Sequence, residues 1–221
     1  MGQYYTIANV DKKEFIHPHA FEQDAKLMAF SYICDDGSAN MFMSALNFLL
    51  SDRWKGDRVY VIGDYANCSE CEKADKNFIP TMEKLYEEFA DVGNVDDRGY
   101  ETSLYSFVRD TFKELTHSDV DISFITPTYL CNSLTKEYIN LRTLPIEWDY
   151  EDKNKGNVKV SIHPLLLLLA MGNGRGGGDY HPEEGSENIG KWVETSKGIF
   201  FAEEIPEGYK EFIPGFTEVS S

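Results

Sequence analysis

The chain has 221 residues, with 38 Asp and Glu against 21 Lys and Arg, and a net charge of −17 at pH 7. Hydrophobic residues make up 42% and aromatic residues 14% of it, which suits a packed core and excludes a disordered chain. So acidic a chain repels phosphate backbones, which argues against direct nucleic-acid binding and favours a protein partner with a basic surface.

The elements follow in chain order. Residues 4–9 are rich in β-branched and aromatic side chains, and with Asp11, Lys12 and Lys13 as a polar turn before residues 14–17 they predict an opening β-hairpin. Pro18 opens a predicted helix carrying Phe21, Ala25, Met28 and Ala29. Ser38 is the expected cap of a second helix with Met41, Ala45, Leu46, Leu49 and Leu50. A turn at Lys55, Gly56 and Asp57 leads into a strand over residues 58–62, ending at Gly63 and Asp64. Two amphipathic helices follow, over residues 81–90 and about 101–115, with residues 93–99 as the loop between them.

The opening pattern then returns. Asn9, Lys13, Glu14, Phe15 and Ile16 are matched at one constant offset by Asn132, Lys136, Glu137, Tyr138 and Ile139. Further on, residues 45–50 parallel 165–170, Trp54 parallels Trp192, and residues 59–62 parallel 198–201. The expected fold is therefore α+β: two diverged copies of a hairpin, helix and strand unit, about residues 3–66 and 126–205. They are expected to pack as a pseudo-two-fold pair around antiparallel sheet, joined by a helical connector at about 70–117, in a single globular domain over 1–221.

The segment from Gly172 to Pro182 is the most unusual. Gly172, Gly174, Gly176, Gly177 and Gly178 are costly in chain entropy unless the backbone needs their freedom. Bare amides here could wrap an anion, with Arg175 as a planar cationic fork and Asp179 and His181 alongside. Gly172, Gly174 and Gly177 fit G-x-G-x-x-G only formally, because the sequence after them reads as loop and no helix follows. If the copies pack face to face, Arg58, Asp64 and Tyr65 could join Arg175, Asp179 and His181 in one composite pocket.

Other groups carry weaker signals. Cys68 and Cys71 have the spacing of half a zinc site, but Cys34 and Cys131 stand alone, so no metal and no cofactor are expected. The acidic pairs Asp35–Asp36, Asp96–Asp97, Glu183–Glu184 and Glu203–Glu204 read as solvated surface. The longest apolar run, residues 165–171, falls short of the ~20 residues of a membrane span. Nothing resembles a signal peptide, and four cysteines in a well-cored chain suggest reduced thiols, so a cytoplasmic location is expected.

The opening Met1-Gly2-Gln3-Tyr4-Tyr5, the His17-Pro18-His19 triplet, the Trp54-Lys55-Gly56-Asp57-Arg58 segment and the 172–179 block together resemble a widespread group of bacterial proteins with no known activity. The resemblance covers most of the first copy plus the glycine block, and implies a lineage without a mechanism. In those proteins the glycine block directly precedes the Trp-x-Gly-Asp-Arg strand, whereas here the two features are divided between the copies. The functional expectation rests on charge: a non-enzymatic acidic interaction protein, such as an inhibitor or immunity-type partner that binds the basic, nucleic-acid-binding surface of another protein. The alternative is a protein that binds or hydrolyses a nucleotide or phosphorylated small molecule through the 172–179 loop.

Overall fold

The computed structural model describes residues 2–34, 36–66, 79–89, 102–146, 148–152, 156–174 and 176–218. The opening segment forms the expected hairpin of β1 (Tyr5–Asn9) and β2 (Glu14–Ile16). Ile7 faces Ile16 and Asn9 faces Glu14 across it, and Lys13 closes the turn at φ 52°. Both faces of β1 are buried, so its polar residues need partners: Thr6 donates to the Ile16 carbonyl at 3.1 Å, and Asn9 donates to Asp57 at 2.8 Å.

Residues 18–30 do not form the predicted helix. A single 3₁₀ turn over Pro18–Phe21 ends at Glu22, which takes the left-handed conformation, and α1 (Leu27–Phe30) is one turn long. The break has a tertiary cause. The backbone between them runs beside the start of β1, where the Ala25 carbonyl accepts the Tyr5 N–H at 2.9 Å. After β3 (Tyr32–Cys34) comes α2 (Met41–Ser51), apolar almost all round and correspondingly buried. Its cap is Asn40, accepting the Met43 N–H at 2.9 Å. Ser38, the expected cap, is bonded instead to Asp36.

The predicted strand appears as β4 (Val59–Gly63), antiparallel to β1. The connector supplies α3 (Ile79–Glu88) and α4 (Leu104–Thr111), the latter capped by Ser103. Where helix was expected to continue, Phe112 turns extended and β5 (Lys113–Leu115) adds to β2 in parallel. Residues 93–99 lie outside the described residues.

The second hairpin pairs β6 (Tyr129–Asn132) with β7 (Glu137–Asn140), with Leu130 facing Ile139 and Asn132 facing Glu137. Lys136 closes its turn at φ 58°. A further hairpin, β8 (Trp148–Asp152) and β9 (Gly156–Ile162), pairs through β9 with β3. His163 then caps α5 (Pro164–Leu168), accepting the Leu165 N–H at 3.3 Å, and burial pushes its pKa down to about 3. The strands β10 (Ala170–Met171), β11 (Pro182–Glu184), β12 (Ile199–Ala202), β13 (Lys210–Glu211) and β14 (Thr217–Glu218) complete the sheets.

A five-stranded sheet has the order β10-β4-β1-β2-β5, and a four-stranded one the order β12-β6-β7-β13. Between these two sheets one apolar cluster gathers residues from both ends of the chain, among them Ile7, Leu49, Val61, Leu130, Leu167 and Ile199. A second cluster lies on the outer face of the five-stranded sheet, where α3 and α4 cover Ala8, Phe15, Tyr60 and Ile62.

Candidate functional site

Four strands of the first sheet, β2, β4, β5 and β10, run toward one edge, and β1 starts there. That edge gathers His17, Asp64 and the glycine block. The block is tied down from several sides. Asn173 donates to the Tyr180 carbonyl at 2.7 Å and accepts the Tyr180 N–H at 2.9 Å, closing a ring around it. The Gly177 carbonyl accepts the Gln3 N–H at 3.2 Å and the Gly178 carbonyl accepts the Met28 N–H at 3.2 Å. A Cβ on Gly176 would overlap the Gln3 backbone, and Gly178, at φ 86°, leaves no room for one beside the Lys26 stem. Here glycine is required by close approach of neighbouring chain.

Asp179 is the centre of this arrangement. It is 2% exposed, and its carboxylate accepts the Gly176 N–H and the Tyr5 hydroxyl, both at 2.8 Å. One amide of the block does bind an anion, and that anion is the protein's own carboxylate. Gly174, Gly177 and His181 face solvent, and Arg175 lies outside the described residues.

Asp64 does come within electrostatic reach of Asp179. It accepts the Tyr4 N–H at 3.1 Å and is half-buried, and burial with the nearby Asp179 charge pushes its pKa up. Arg58 does not join them. It precedes β4 while Asp64 follows it, which separates the two by roughly 20 Å at ~3.3 Å per residue. Arg58 donates to Asp11 at 2.8 Å and to Glu88 at 2.6 and 2.8 Å, which raises its own pKa and lowers both carboxyl pKa values. It lines a cleft with Lys84, Glu194 and Lys197, where Asp11 and Glu88 pair with its guanidinium and Lys197 lies 3.8 Å from Asp11.

At the same edge as Asp64, His17 Nδ1 accepts the His19 N–H at 3.4 Å, which places the ring proton on Nε2, facing the Tyr105 oxygen at 3.2 Å. Arg109 donates to that oxygen at 3.2 Å. Burial and the Arg109 charge lower the His17 pKa to about 4. A neutral imidazole and a guanidinium thus hold one phenol in place.

The two hairpins carry matching side-chain bonds. Trp54 donates its indole N–H to Glu14 at 2.9 Å, and Trp192 donates to Glu137 at 3.0 Å. Arg53 pairs with Glu14, and Lys191 with Glu137 at 3.3 Å. Trp54 N–H bonds the Leu49 carbonyl at 2.6 Å, and Trp192 N–H bonds the Leu168 carbonyl at 2.9 Å. Asn9 faces Val59 and Asn132 faces Ile199, so the two asparagines meet their neighbouring strands at residues 59 and 199.

The hairpins differ in what covers them. On the outer face of the second sheet, Cys131 faces Tyr138 on β7 and Phe200 on β12, while Tyr129 faces Ala202. Among the described residues no helix lies over this face, and Tyr129, Tyr138 and Phe200 are partly exposed. Tyr129 stacks edge-on against Tyr138 at 5.6 Å and Phe200 against Tyr209 at 6.1 Å, with Lys136 5.0 Å from the Tyr209 ring. Cys131 is buried beneath these rings, which pushes its thiol pKa up to about 11.

Glu203 accepts from Thr128 at 3.1 Å, and Glu204, Glu207 and Glu211 are exposed without an ion pair to any described residue. Asp11, Glu14 and Asp57, around the first hairpin, are all ion-paired. The sequence reading missed this face. Its signal was the outward period-two placement of Tyr129, Cys131 and Tyr138 with no later amphipathic helix to cover them.

Cys68 and Cys71 lie outside the described residues, as do Asp35, Asp96 and Asp97. No helix among the described residues is long and apolar enough to cross a membrane. Comparison of the chain with protein-family models, curated proteins and solved structures finds no match.

Proposed function

We propose that the chain is a non-enzymatic acidic interaction protein, built from two diverged copies of one hairpin unit packed as a pseudo-two-fold pair. One copy is closed by the connector, and the other meets a basic surface of another protein, as an inhibitor of a nucleic-acid-binding enzyme would. The matching Trp–Glu bonds, hairpin registers and left-handed turn lysines support the duplication. The observation that carries the functional reading is the set of exposed carboxylates Glu203, Glu204, Glu207 and Glu211, none ion-paired to a described residue, with partly exposed aromatic side chains on the same sheet. Carboxylates without a cationic neighbour attract a cationic partner over several ångströms and make association fast and salt-sensitive. The glycine block supports this reading over a phosphate site, because Asp179 already takes the Gly176 amide.

The test uses a labelled, lysine-rich, unstructured peptide, with affinity measured by fluorescence anisotropy at about 20 and about 300 mM salt, where the screening length is about 20 and about 6 Å. Binding should weaken at least ~10-fold at the higher salt. Replacing Glu203, Glu204, Glu207 and Glu211 by Gln should abolish it. Neutralising Glu22, Asp24, Glu83 and Glu87 instead should leave most of it. Equal loss in both variants, or indifference to salt, would overturn the reading.

A further inference from the structure

The chain's own geometry lays out a set of charges beside α4. In that helix Tyr105 and Arg109 stand four residues apart, as do Ser106 and Asp110, so the two pairs form neighbouring rows along one side of it. The chain leaves the helix at Phe112, and β5 then sets Glu114 opposite Phe15 of β2, on the same face of the sheet. Phe15, Tyr105, Ser106, Arg109, Asp110 and Glu114 line a groove of about 310 Å³, at the lower end of the range for small-molecule sites.

One row of this groove donates. Tyr105 is 8% exposed, and its oxygen already faces His17 Nε2–H and an Arg109 N–H, both at 3.2 Å. With its acceptor capacity engaged twice, the phenol is left to donate its own hydrogen, and no described residue accepts it. The other row is acidic. Arg109, Asp110 and Glu114 are all exposed, and none is ion-paired to a described residue. Asp64 is a further acid within electrostatic reach of the phenol. A bare oxyanion on Arg109 would therefore face three carboxyl groups, and a bare cation between Asp110 and Glu114 would face the guanidinium. A molecule carrying both signs meets both rows with its own opposite charge.

From this we infer that the groove binds a small zwitterion with the charge pattern of a free amino acid. Its carboxylate takes Arg109 and the Tyr105 hydroxyl, its ammonium takes Asp110 and Glu114, and its apolar part lies toward Phe15. A guanidinium holds a carboxylate through two parallel hydrogen bonds, which fixes the orientation of the rest of the ligand. The site goes beyond the interaction reading above and does not depend on it.

The experiment titrates the intact protein with leucine, N-acetyl-leucine, leucinamide and inorganic phosphate, followed by amide NMR shifts. Leucine should bind with about millimolar affinity, as suits so small a ligand, and should move the signals of residues 104–115. N-acetyl-leucine lacks the ammonium and leucinamide lacks the carboxylate, so each should bind at least ~10-fold more weakly. Arg109→Gln should weaken leucine and N-acetyl-leucine at least ~10-fold, with no such loss for leucinamide. Glu114→Gln should weaken leucine and leucinamide several-fold, with no such loss for N-acetyl-leucine. Both positions are exposed, so the unfolding midpoints should stay near that of the parent.

Equal binding of the three leucine forms, or binding of none of them at about 10 mM, would overturn the inference. Phosphate binding more tightly than leucine would make the groove a plain anion site, and leucinamide binding more tightly would make it a cation site. Either result sinks the zwitterion. Shifts confined to residues outside the groove would do the same.

Discussion

The two hairpins share their internal bonds and part company at their outer faces. Each holds an indole against a strand glutamate, 2.9 Å in one and 3.0 Å in the other. Each turns on a lysine in the left-handed region, at φ 52° and 58°. Yet the first is sealed by α3 and α4, and the second presents Tyr129, Tyr138 and Phe200. The comparison teaches that a unit's inner contacts fix its fold, while segments outside the unit decide whether its other face becomes core or surface.

The largest expected effect tests the shared part. Trp54→Ala and Trp192→Ala, both at fully buried positions, should each cost ~3–5 kcal/mol in urea unfolding. The two values should agree within about 1 kcal/mol. A Trp192→Ala cost below half that of Trp54→Ala would break the equivalence.

The next prediction sharpens the difference. Phe15 and Tyr138 occupy the same place in their hairpins, facing Ala8 and Cys131. Phe15→Ala should cost ~3 kcal/mol, because α3 and α4 lose a packed ring, whereas Tyr138→Ala should cost about 1 kcal/mol or less. Similar costs would mean that the second face is closed as well.

The glycine block belongs to the first sheet alone and should matter only there. Asp179→Ala strands the Tyr5 hydroxyl and the Gly176 amide, at a cost of ~1–3 kcal/mol. Heightened exchange should then appear at residues 2–5 and 172–180, with residues 129–140 unchanged.

The last prediction is a pH dependence. Folding lowers the pKa of His17 from 6.5 to about 4 and that of His163 to about 3. Below pH 6.5 the unfolded chain binds protons that the folded chain refuses, so stability falls as pH drops from 6.5 toward 4. Each histidine contributes a slope of up to ~1.4 kcal/mol per pH unit. His17→Asn, which installs the residue type found at Asn140 in the second hairpin, should flatten the decline seen in unfolding midpoints between pH 6.5 and 4. An unchanged slope would show that His17 is not held neutral.

Much of this fold was readable from local pattern. The hairpin of β1 and β2, the strand β4 and the recurrence of Asn, Lys, Glu and an aromatic needed only strand-forming composition, turn residues and spacing. What failed depended on distant partners. Residues 18–30 break because Ala25 must serve Tyr5, and residues 113–115 become strand because β2 has an open edge. Neither fact is encoded within a helical window. The glycine block was legible as unusual, but its occupant was not: only the fold brings Tyr5 and Asp179 to 2.8 Å. Arg58 and Asp64 lay near each other in sequence and were separated by the length of the strand between them.

Tyrosine nitration of the native protein, read by mass spectrometry, tests the contrast between the two faces most directly. Tyr60, 4% exposed under the connector, should stay unmodified until the chain unfolds, while Tyr129 and Tyr138 react in the folded state. Equal protection of all three would contradict an open second sheet, and with it the surface on which the functional account depends.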